Sequence, residues 1–133
     1  MWIGKRFKKF AFSCPDGTQW KVGKKISEKE NESYGDLYER GLDTSEAQAV
    51  HHCRQIEGPS VGRKAILKVR MQIPEVEYTS SEDEYPTSDL LDRARHASDA
   101  YGIGTSQEIH ALKWFTETGC SVTPHLLHLI ETF

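Results

Sequence analysis

The chain has 133 residues, 37% hydrophobic and 28% charged, with a formal net charge of -3, which suits one globular domain with a modest core and long polar connections. That balance offers no global attraction for nucleic acid or an anionic membrane, so neither is expected as a partner. No apolar run approaches the roughly twenty residues needed to span a bilayer, and the N-terminus lacks a signal-peptide core. Cytoplasm or nucleus is therefore the expected compartment.

Residues 1–18 form a basic, aromatic N-terminal segment in which Lys5, Arg6, Lys8 and Lys9 alternate with Trp2, Phe7, Phe10 and Phe12. Such a pattern suits an anionic surface, or an edge strand or loose terminus in water. A strand is expected over 7–13. Pro15-Asp16-Gly17-Thr18 then reads as a turn, because proline presets φ, aspartate bonds back to the backbone and glycine accepts positive φ. A second strand over 19–26 alternates Trp20, Val22 and Ile26 with lysines. The polar run 27–35 should be a loop, and 34–40 a short returning strand.

Residues 43–57 support two readings. Ser45 and Gln48 have the spacing of a helix capping box with Gly58 as a stop, whereas 50–56 pairs naturally with 64–72 across the turn at 58–62. The hairpin is expected for the later part, with a helical turn near Ser45. His51, His52 and Cys53 alternate across a strand and so do not converge on one ion. Cys14, Cys53 and Cys120 are odd in number and lack ligand spacing, so they read as reduced thiols without a metal.

Residues 74–92 are acidic, with Glu75, Glu77, Glu82, Asp83, Glu84, Asp89 and Asp92, and have no apolar period, which predicts a mobile connection. Within it Ser80 and Ser81 each precede an acidic residue by three positions, a pattern acidophilic kinases accept; a plain solvated linker is the alternative. Leu90, Leu91, Ala94, Ala97 and Ala100 predict a weakly amphipathic helix over 88–101. Thr105 is expected to cap a second helix with Glu108 closing the box, Ile109, Leu112 and Phe115 making its apolar stripe and Gly119 ending it. A last strand is expected over 124–130.

Lys68 stands alone in the apolar run Ala65-Ile66-Leu67-Lys68-Val69, and a buried ammonium needs an anion. Glu108, at the start of the second helix, is the best candidate. Alternatively, Lys68 keeps its head in water at a strand edge and Glu108 serves backbone donors at its helix start.

The order of strands, the lysine strand Ala65-Ile66-Leu67-Lys68-Val69-Arg70-Met71-Gln72, the helix Thr105-Ser106-Gln107-Glu108-Ile109-His110-Ala111-Leu112 and the run Thr123-Pro124-His125-Leu126-Leu127 resemble the N-terminal lobe of fungal proteins with the protein-kinase-like, aminoglycoside-phosphotransferase-like fold. The resemblance covers about 20–133. It implies an α+β domain at 19–133, with an acidic insertion at 74–92, built as a twisted antiparallel sheet of about five strands with one main helix packed on it. It also implies ATP with Mg as cofactor in a full-length form, Lys68 on the phosphates, Glu108 orienting Lys68, and Ala65 against the adenine.

The chain departs from that family in two respects. Gly23 and Gly35 lie far apart, with Glu28, Glu30 and Glu32 between them, in place of a Gly-x-Gly-x-x-Gly phosphate loop. No His-x-Asp or Asp-Phe-Gly segment follows Lys68, and phosphoryl transfer needs a metal clamp and a group that positions the nucleophile. The expectation is thus a fragment or truncated phosphotransferase, inactive alone, whose partners are an adenine nucleotide and the missing C-terminal lobe. A non-catalytic, pseudokinase-type protein interaction module is the alternative.

Overall fold

The structure, a computed structural model, describes Phe7 and residues 10–31, 45–73 and 101–131. Four strands, β1 (Ala11–Ser13), β2 (Gln19–Asn31), β3 (Glu46–Glu57) and β4 (Lys64–Gln72), form one curled antiparallel sheet in chain order, and one helix, α1 (Ile103–Glu117), follows. The fold is α+β. Among the described residues the sheet has four strands where about five were expected, because 124–130 joins no ladder. Pro124 has no N–H to donate, and the Leu126 N–H goes to the Thr116 hydroxyl at 2.8 Å instead of to a strand. The strand expected over 34–40, the acidic connection and the helix expected from residue 88 lie outside the described residues, apart from Tyr101.

The two hairpin turns form where the sequence places them. At 15–18, Gly17 adopts φ +84° and Asp16 Oδ1 accepts the Thr18 N–H at 3.0 Å, so aspartate and glycine play the parts expected of a tight turn. In the β3–β4 turn, Gly58 takes φ +120° and Gly62 takes +89°, while Gln55 exchanges backbone bonds of 2.8 Å with Gly62 and Arg63. The sheet thus begins with β1, inside the basic segment 1–18.

β2 corrects the loop expected from residue 27. It continues to Asn31, with Ser27 opposite Val50, Glu28 opposite Ala49 and Asn31 opposite Glu46. A polar sequence can do this because the ladder satisfies the backbone whatever the side chains, and β-propensity yields to context. Register shifts on either side of Lys25 are bulges that increase the local twist.

β3 corrects the helical turn expected near Ser45. The Ser45 carbonyl accepts the Ile73 N–H at 3.0 Å, and the strand begins at Glu46. With β2 on one side and β4 on the other, Glu46 to His51 each have a ladder neighbour on both sides, which a local capping box cannot match. The core lies on one face, where Cys14, Trp20 and Cys53 are buried with Phe12, Ala65 and Leu67 against them, and Val22, Ala47 and Ala49 extend it. Burial pushes the Cys14 and Cys53 thiols up.

α1 does not begin with the expected capping box. Gly102 precedes the helix without a side-chain cap, and Thr105, the buried residue of α1, donates its hydroxyl to Glu46 Oε2. Gly102 N–H donates to Oε1 of the same carboxylate at 2.7 Å, so an anion from β3 satisfies the helix start. The helix ends near Gly119, as expected. Gly119 adopts φ +68°, its N–H reaches the Thr116 carbonyl at 3.2 Å, and the Cys120 N–H reaches the Phe115 carbonyl at 3.0 Å, the paired bonds of a Schellman terminus.

Candidate functional site

Alternation along β4 sends Lys64, Ile66, Lys68 and Arg70 to one face and Ala65, Leu67 and Val69 to the other. α1 lies beside the first of these faces. The Glu108 carboxylate divides its oxygens there: Lys68 Nζ donates to Oε1 and Arg70 Nη2 donates to Oε2. Lys68 is nearly half exposed, while Arg70 and Glu108 are about a quarter exposed, so water still reaches the pair. Partial burial would raise the Glu108 pKa. The hydrogen bonds from Lys68 and Arg70, with their two charges, outweigh it and hold the carboxyl below its ordinary value.

Lys68 and Glu108 are thus brought together. Ala65 is not part of that group, because residues three apart in a strand face opposite ways; it lies opposite Cys53, against the buried Cys14–Trp20–Cys53 cluster. Arg70 was missed in the sequence, although its position two residues after Lys68 puts it on the same face of any strand. Glu46, the second carboxylate binding α1, was missed because the helix-against-strand ambiguity hid its orientation.

The same face carries more positive charge than the two residues that meet Glu108. Lys21, Arg54 and Lys64 stand directly opposite one another on three adjacent strands, and Lys29 lies opposite Gln48, which in turn faces Arg70. Facing residues in an antiparallel ladder have Cα atoms only about 4.5 to 5.5 Å apart, and like charges so placed repel. Arg54 and Lys64 are exposed, and among the described residues neither forms an ion pair. Glu28 and Glu30, by contrast, face Ala49 and Ala47 and so point to the opposite side of the sheet from Lys68. The row of Lys21, Arg54 and Lys64 lies four residues along β4 from Lys68, or roughly 13 Å at about 3.3 Å per residue, and makes that end of the face positive.

His51 and His52 also divide between faces. His51 is 2% exposed, its Nδ1–H donates to the Gly23 carbonyl at 3.3 Å, and the Phe7 ring meets it edge-on with centroids 5.2 Å apart. Among the described residues its Nε2 has no partner. His52 is exposed.

Comparison with protein-family models, curated proteins and solved structures found no match to this chain. Among the described residues no helix is long and apolar enough to cross a membrane.

Proposed function

We propose that the chain is the phosphate-binding half of a kinase-like phosphotransferase, with Lys68 holding the phosphates of an adenine nucleotide and its Mg ion, and Glu108 orienting Lys68. One observation carries this reading: the bond between Lys68 Nζ and Glu108 Oε1, from a strand to the helix that follows it. A lysine anchored by a carboxylate is fixed in place yet keeps donors for a phosphate. Lys21, Arg54 and Lys64 support the reading because they add positive charge to the same sheet face. Glu28 and Glu30 do not oppose it from the other side. Ala65 has no part in it, since its side chain lies in the core.

Lys68 and Glu108 position phosphates but do not complete the chemistry. Transfer needs a metal clamp and a residue that aligns the acceptor hydroxyl, so these 133 residues alone should bind nucleotide without turning it over. Isothermal titration with Mg-ATP tests the assignment. Wild type should bind and Lys68→Ala should lose at least tenfold in affinity, while Lys25→Ala, opposite His51 on the other face of the sheet, changes it little. No heat with wild type, or equal affinity in Lys68→Ala, would remove the nucleotide role.

A second reading is a non-catalytic protein interaction module. It rests on Trp114 and Val122, 60% and 89% exposed, with Phe115, Leu127 and Ile130 also exposed around the end of α1 and beyond. Contiguous exposed apolar surface marks contact sites. Light scattering that shows a monomer across concentrations, with no binding of a hydrophobic dye, would count against it.

A further inference from the structure

The turn between β1 and β2 meets the segment after α1 at three side chains of different chemistry. Cys14 Sγ, a carboxylate oxygen of Asp16 and a ring nitrogen of His128 all lie within 4.8 Å of one another. Asp16 Oδ2 is 3.2 Å from His128 Nε2. Around a tetrahedral zinc ion, with bonds of roughly 2.0 to 2.3 Å, ligand atoms lie roughly 3.3 to 3.7 Å apart. The aspartate and histidine are already at that spacing, and a shift of roughly 1 Å brings the thiol to it.

The carboxylate is held in place from behind. Trp20 Nε1–H donates to Thr18 Oγ1 at 2.9 Å, and the Thr18 hydroxyl donates to Asp16 Oδ1 at 2.6 Å, joined there by the Thr18 N–H. Trp20 and Thr18 are 3% and 6% exposed. One carboxylate oxygen is thus occupied by a buried chain of hydrogen bonds while the other faces His128, the outer support usual for a metal-ligating carboxylate. The Gly17 N–H donates to the Cys14 carbonyl at 3.0 Å, and this turn over residues 14–17 brings Cys14 and Asp16 together from positions two apart.

We propose that Cys14, Asp16 and His128 bind a divalent transition-metal ion, zinc being the best fit, with water in the fourth position. The donor set, one sulfur, one oxygen and one nitrogen, selects against Mg and Ca, which take oxygen ligands. Binding transfers the Cys14 thiol proton to solvent and leaves the ion held by thiolate, carboxylate and neutral imidazole. The partial exposure of Asp16 and His128 leaves an entry route and room for the water. Among the described residues, the bond between Asp16 and His128 is the polar link from 120–131 to the sheet. The ion would replace it with a firm clip closing a loop of about 110 residues, the kind of closure that restricts the unfolded chain most.

Titration of the reduced, chelator-treated chain with Co(II), followed by competition with Zn(II), tests this. One equivalent of Co(II) should give the thiolate-to-cobalt charge-transfer band of a tetrahedral site, and Zn(II) should abolish it. Cys14→Ser should lose the band, and His128→Gln should weaken binding at least tenfold, whereas Cys53→Ser and Cys120→Ser should retain both. Circular dichroism of the metal-free variants checks that the sheet is intact, and amide exchange over 124–131 should slow on adding Zn(II) to wild type only. No binding by wild type, or binding unchanged in both Cys14→Ser and His128→Gln, would overturn the site.

Discussion

Glu46 and Thr105 meet where β3 faces the start of α1, and both are buried: the threonine hydroxyl donates to the glutamate carboxylate. The Gly102 N–H shares that carboxylate, so one β3 side chain holds the first turn of the helix. Glu46→Ala should leave two donors without an acceptor and cost on the order of 1 to 3 kcal/mol, read as a lower midpoint in urea; Glu46→Gln, which keeps one acceptor, should lose less. Gly102→Ala tests the same seam, since a Cβ there would come within 3.0 Å of the Glu46 carboxylate. An unchanged midpoint in Glu46→Ala would show that α1 docks by other means.

The two cations on Glu108 should differ in coupling. Both pairs are partly exposed, so each should be worth at most about 1 kcal/mol and should weaken in high salt. Double-mutant cycles of Lys68→Ala and Arg70→Ala against Glu108→Ala measure this, and the better-buried Arg70 should give the larger coupling energy. Zero coupling for both at low salt would mean that the contacts contribute no stability.

Acid should loosen this corner. The Glu108 carboxyl titrates below its ordinary value of 4.5 in the folded chain, so the unfolded chain binds its proton more readily. Its contribution is complete above pH 4.5 and is lost as the pH falls through the lower folded value. The stability difference between wild type and Glu108→Gln should therefore stay level at neutral pH and shrink in acid. Urea titrations across pH check the sign, and Asp16, whose carboxyl is also held low, chiefly by the Thr18 hydroxyl and amide, is common to both proteins and cancels.

Gly58 should be intolerant of substitution. It adopts φ +120° in the β3–β4 turn, and a Cβ would lie 2.5 Å from Gln55 Nε2 and 2.9 Å from Thr18 Cγ2. Gly58→Ala combines left-handed strain of about 1 to 3 kcal/mol with displacement of Gln55 and Thr18, two buried residues. Gly62→Ala, at φ +89° with open space around it, should cost less. Equal thermal midpoints for the two variants would remove the steric part of this explanation.

Local chemistry in the sequence was enough for several elements. The turn at 15–18, the hairpin across 58–62, the strand around Lys68 and the glycine end of α1 all depend on neighbouring residues, and a proline, a positive-φ glycine or a two-residue alternation expresses such needs directly. Ala65 was expected against the adenine in spite of the same rule: a strand residue three positions from Lys68 must face away from it.

The length of β2, the strand from Glu46 in place of the helical turn expected near Ser45 and, among the described residues, the lack of a fifth strand at 124–130 depended instead on which backbone groups find partners far along the chain. The meeting of Lys68, Arg70 and Glu108, the seating of α1 on Glu46 and the convergence of Cys14, Asp16 and His128 are tertiary for the same reason. Sequence determines which face of an element a side chain occupies; only folding decides which distant charge or ligand comes to lie against that face, because that choice is made by long-range pairing and burial.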